Sequence, residues 1–217
     1  STRVMKIDND FVVRKSISKH QNREFGFYRW ISQYKRLQRY SEMFPGVFPR
    51  VVGSGQTDDS YYFDIPYYDG YINGFEYLSN DLDEQKISRF FEKVILNLEL
   101  LHAHEYSSVR GGFEIFFNEE VRDRLQLLQA NERTKPFLCF DHFVFNGQNI
   151  DNSMNDIPLI EQQLSGLIRG SAECFTHGNI TLENIIVSPD GEEVLFIDPY
   201  EENYFDSVHQ EFSQMLQ

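Results

Sequence analysis

The chain has 217 residues, 41% apolar and 15% aromatic, enough for one large domain or two small lobes around a buried core. Twenty basic against 34 acidic residues leave a formal net charge of −14, a field that repels nucleic-acid phosphates and anionic membrane surfaces and argues against both as partners. No run approaches the roughly 20 apolar residues of a membrane span, residues 1–20 lack a signal-peptide pattern, and Cys139 and Cys174 have neither metal-site spacing nor scaffold density, so a soluble cytoplasmic protein with reduced core thiols is expected.

Residues 3–17 read as two strands turning at Asp8-Asn9-Asp10, with Phe11, Val13 and Lys15 on one face by the two-residue period. A helix is predicted from Gln21 to Tyr40, where Glu24, Phe27, Ile31, Tyr34 and Leu37 recur at three- and four-residue steps. Two further strands are expected between residues 48 and 70, ending at Asp69-Gly70. Gly53-Ser54-Gly55 precedes a polar turn rather than a helix, so it reads as turn and not as a phosphate loop. Beyond Gly70 the period becomes helical. Ile87, Phe90, Phe91, Val94, Leu98 and Leu101 form an apolar stripe within 83–105, and shorter amphipathic stretches follow near 119–130 and 156–169. The piece between those two, apolar and then rich in Asn and Asp, has no clear pattern.

A hairpin is predicted from Ile185-Ile186-Val187 through Pro189-Asp190-Gly191 to Val194-Leu195-Phe196-Ile197. Asn184 and Asp198 bracket its open end, where antiparallel pairing brings two oxygen-bearing side chains close together. Amide and carboxylate oxygens suit a hard divalent cation. A last helix is expected over 205–216, with Phe205, Val208, Phe212 and Met215 on one face.

The order His177-Gly178-Asn179, four residues, Asn184, hairpin, Ile197-Asp198 resembles the signature of the kinase-like phosphotransferases, the aminoglycoside phosphotransferase and choline kinase group. Within it the chain most resembles the kinase-like proteins of bacterial capsular polysaccharide biosynthesis. The resemblance implies a two-lobed α+β fold, with a small antiparallel-sheet lobe over residues 1–69 and a mainly helical lobe over 70–217. It implies ATP and Mg²⁺ as cofactors, a small hydroxylated acceptor, and protein partners in a biosynthetic assembly. Position by position, Lys15 would contact the α/β phosphates with Glu24 as its helix partner, Ile65 and Tyr67 would flank the adenine, and Asn184 and Asp198 would hold the metal. His177 would be a structural member of the catalytic loop. The family's glycine-rich hairpin is missing before Ser1, so a fold abbreviated at both ends is expected.

Position 179 departs from the family, which carries there an aspartate that accepts the proton of the acceptor hydroxyl. An amide has no basic oxygen at neutral pH. Two readings follow. In one, a phosphotransferase of weak activity uses Asn179 to position the hydroxyl; in the other, a pseudokinase binds nucleotide as a regulatory module. Glu201, Glu202 and Asp206 could line the site of a cationic acceptor.

Overall fold

The computed structural model describes residues 2–7, 10–20, 25–80, 83–106, 112–169, 173–200 and 205–216. They form two compact units, one of residues 1–105 with 174–217 and one of residues 106–173.

The first unit opens with strands β1 (Thr2–Ile7) and β2 (Asp10–Ser18), an antiparallel pair in the register Thr2↔Lys15 to Ile7↔Asp10. Helix α1 (Phe25–Met43) follows and runs three residues past the predicted end. Strands β3 (Gly53–Gln56) and β4 (Ser60–Pro66) complete a four-stranded antiparallel sheet of order β1-β2-β4-β3. The two-residue period sorts its faces. Lys15 lies opposite Phe63, and Phe63 is fully buried against Trp30 and Tyr34 of α1. On the other face Arg14 lies opposite Asp64 and grips its carboxylate with two hydrogen bonds of 2.7 and 2.8 Å while covering the Tyr62 ring.

That second face corrects the reading of Gly53-Ser54-Gly55, which is edge strand β3 rather than turn. Gly55 pairs with Tyr62, and a Cβ there would stand 2.8 Å from the tyrosine hydroxyl. The glycine therefore makes room for the Tyr62–Arg14–Asp64 stack rather than bending the chain.

After β4 come a short strand β5 (Ile72–Asn73), helix α2 (Gly74–Ser79) and helix α3 (Glu84–His102). The Asn73 and Asp83 side chains cap the two helices, accepting the backbone N–H of Glu76 and Lys86 at 2.8 Å. Phe90, Val94, Leu98 and Leu101 of α3 are essentially inaccessible, as the stripe predicts, and each contributes about 1.5–3 kcal/mol of burial. No helix among the described residues is long and apolar enough to cross a membrane.

A two-residue strand, β6 (Glu105–Tyr106), leads to the second unit. There α4 (Gly112–Phe116) passes through a π-helical turn at 117–122 into α5 (Asp123–Ala130), and α6 (Lys135–Leu138) follows. The stretch with no readable pattern is largely a hairpin, β7 (His142–Phe145) and β8 (Gln148–Asp151), turning at Asn146 (φ 51°) and Gly147 (φ 78°). Asn152 ties it to α6 by donating to the Phe137 and Phe140 carbonyls at 3.0 and 2.7 Å. Helix α7 (Ile157–Arg169) closes the unit, its Glu161 paired with Arg122. Cys139 belongs here and is exposed, against the expectation of a core thiol, because α6 is a single turn with no buried residue. Cys174 is buried, and burial pushes its thiol up to about 12.

The chain re-enters the first unit through β9 (Glu173–Cys174) and the loop 175–184. Strands β10 (Ile185–Val187) and β11 (Val194–Phe196) pair antiparallel as predicted, and β5 adds to the outside of β10. Helix α8 (Val208–Met215) starts later than expected, capped by Ser207.

Candidate functional site

The loop 176–184 is built around His177, which is wholly buried between Phe48, stacked at 6.0 Å, and the edge of Phe196 at 5.7 Å. Its Nε2 lies 2.7 Å from the Ile197 carbonyl, which can only accept, so Nε2 carries the proton and Nδ1 accepts the Asn179 N–H at 3.3 Å. One neutral ring thus ties the loop at 179 to the residue before Asp198. Burial drives its basicity down to about 3.

That depression sets a pH dependence. Between about pH 6.5 and 3 the unfolded chain binds a proton at this histidine that the folded chain refuses, so stability falls as the pH falls, by up to about 1.4 kcal/mol per unit. Unfolding midpoints across this range should flatten in His177→Gln relative to the parent. Parallel slopes in the two proteins would assign the acid sensitivity elsewhere.

Asn184 and Asp198 flank the hairpin, and the Ile197 N–H donates to the Asn184 carbonyl at 2.9 Å. The Asn184 amide donates through Nδ2 to the Asn179 carbonyl at 2.8 Å, which leaves its Oδ1 free of that bond. Asp198 has φ 60°, a conformation that a non-glycine residue adopts rarely and at a cost. Lys15, 183 residues away in sequence, reaches the Asp198 carboxylate directly. Burial pushes the Lys15 ammonium down to about 8. Among the described residues no three His, Cys, Asp or Glu side chains group as a metal site. The oxygen donors flanking the hairpin are one amide and one carboxylate, the hard donor type that would suit Mg²⁺.

Other expected residues fall differently. Ile65 is buried in β4 opposite Val13, on the Lys15 face of the sheet, whereas Tyr67 is exposed, its ring 6.2 Å from Phe11. Glu24, Glu201 and Glu202 lie outside the described residues. Asp206 does not offer a free carboxylate to a cationic acceptor: it accepts the Thr176 hydroxyl at 2.6 Å and faces Arg36 at 3.4 Å.

Two buried charges escaped the sequence reading. Arg36 of α1, only 2% exposed, contacts Tyr40, Thr176 and Asp206, so α1 is pinned beside His177. Glu211 of α8, 1% exposed, accepts the backbone N–H of His177 at 2.8 Å and of Gly178 at 3.2 Å, with His102 Nε2 3.4 Å away. Its signal was available: Glu211 is an acid three residues from Val208 and four from Met215, inside the apolar stripe of a helix.

No protein-family model matches the chain, and no curated protein matches it. Solved structures do. The crystal structure of the "putative fructosamine-3-kinase" from Haemophilus somnus 129PT superposes with a TM-score of 0.53 at 12% identity, over 92% of this chain. The match covers 61% of that protein, so the chain spans about three fifths of its length. At this identity the likeness is one of fold, and with the antiparallel sheet, the following helix and the 177–198 loop and hairpin it shows that the chain has a kinase-like α+β fold.

Proposed function

We infer that the chain is an ATP- and Mg²⁺-dependent phosphotransferase-like protein acting on a small hydroxylated molecule, of the sugar or glycan-precursor kind. The observation that carries this reading is the contact between Lys15 and Asp198, a buried ammonium and a carboxylate in a left-handed backbone conformation, brought together from opposite ends of the chain. Lys15, from the strand-rich lobe 1–69, would bind the α/β phosphates. Asn184 and Asp198, from the helical lobe 70–217, would hold Mg²⁺, which when bound neutralises charge on the phosphate oxygens. Ile65 supplies an apolar surface for the base. The neighbour in the structural comparison is named as a kinase of fructosamine, which accords with a hydroxylated acceptor.

Asn179 favours a second reading. Its side chain has no basic oxygen, as a pseudokinase serving as a nucleotide-responsive module in polysaccharide biosynthesis would permit. Both readings require Mg·ATP binding. At a ligand concentration 100 times Kd, Mg·ATP should add about 2.7 kcal/mol, raising the unfolding midpoint by roughly 5–10 °C. Asp198→Asn and Lys15→Met should abolish most of the rise. A midpoint unmoved by Mg·ATP ends both readings.

A further inference from the structure

We propose that the cavity behind the segment joining β4 to β5 binds a small apolar carboxylate, independently of any nucleotide. The cavity measures about 560 Å³, within the usual range for small-molecule sites. Its lining includes the buried side chains of Phe48, Val194 and Leu195, with Val52, Pro66 and Leu96 alongside.

Among the described residues, the charged groups of the lining are committed to partners with one exception. Lys93 pairs with Glu192 at 3.0 Å, and Arg89 holds the same carboxylate at 2.9 Å. The Tyr71 hydroxyl donates to Glu193, and Asn97 donates to the Val194 carbonyl at 3.0 Å. Arg50 lines the same cavity and makes no hydrogen bond or ion pair with a described residue. A planar guanidinium beside an apolar floor matches a carboxylate bidentately while the ligand's body covers Phe48 and Leu195. Glu192 and Glu193 restrict the ligand to a single anionic group. A neighbouring cavity of about 700 Å³ shares Val52 and Pro66 but presents Asp10 and Asp69 with no cation among the described lining residues, so it disfavours the same ligand.

Three probes of one shape test the assignment: 2-naphthoate, 2-naphthylmethylammonium and 2-naphthalenemethanol, titrated into the full chain by calorimetry and by amide NMR. Naphthoate should bind about 10-fold more tightly than the alcohol, the scale of a charge-assisted pair, and should shift Tyr68 and Asn97, which both line the cavity. Arg50→Met, a surface change that should leave the unfolding midpoint in place, should reduce naphthoate to the level of the alcohol and leave the alcohol unchanged. Leu96→Gln should weaken both. The assignment is overturned if naphthoate does not bind at millimolar concentration, if the ammonium probe binds as tightly, if Arg50→Met has no effect, or if the shifts centre on Phe11 and Tyr67.

Discussion

Replacing Glu211 by alanine is expected to destabilise the chain by about 3–5 kcal/mol, the range for removing one partner of a buried charged network. The carboxylate is 1% exposed and uses both oxygens, Oε2 for the His177 N–H and Oε1 for the Gly178 N–H. Without it two buried donors are orphaned, at about 1–3 kcal/mol each, and the volume of the side chain is left empty. Because those donors belong to the loop that presents Asn179, the Mg·ATP-dependent rise in unfolding midpoint should be lost along with the stability. Glu211→Gln keeps one acceptor oxygen but turns an NH₂ group toward a backbone donor, so an intermediate loss is expected. Denaturant titration of the three proteins measures the series. A change within about 0.5 kcal/mol in Glu211→Ala, the usual size for a surface substitution, would mean that the loop stands without its carboxylate.

Asn179→Asp is expected to raise ADP formation about 10²- to 10⁴-fold, the usual contribution of a positioned general base. The backbone around residue 179 does not depend on its side chain. The N–H goes to His177 Nδ1 at 3.3 Å, and the carbonyl accepts Asn184 Nδ2 at 2.8 Å and the Thr181 N–H at 3.0 Å. An isosteric carboxylate should therefore enter without moving the loop, and the unfolding midpoint should barely change. Turnover is measured with Mg·ATP and a panel of sugars, amino sugars and polyols. If both proteins bind Mg·ATP and neither forms ADP above background, the nucleotide-responsive module is the reading that remains.

Much of the fold was legible where the signal is short-range. The α3 stripe and the 185–197 hairpin follow from a period and a turn, and both stand where expected. The second hairpin was missed although Asn146-Gly147 between "HFVF" and "QNID" is a strong two-residue turn signal. The surrounding Asn and Asp residues and the one-turn helix before it masked the alternation, and its apolar residues Phe143, Val144, Phe145 and Ile150 are exposed rather than packed on a core. Gly53-Ser54-Gly55 was misread for the opposite reason. Glycine there answers to a side chain on the next strand, Tyr62, and not to any local turn.

The spacing of His177, Asn179, Asn184 and Asp198 is a property of the covalent chain, and with the hairpin it marks a candidate site in the sequence alone. That Lys15 meets Asp198, that Ile65 is buried while Tyr67 is exposed, and that a glutamate of the last helix holds the loop could come only from folding. Period and turn chemistry act within a few residues. The partner of a buried charge is chosen by packing between segments far apart in the chain, where an unpaired ion costs several kcal/mol and the arrangement that pairs it prevails.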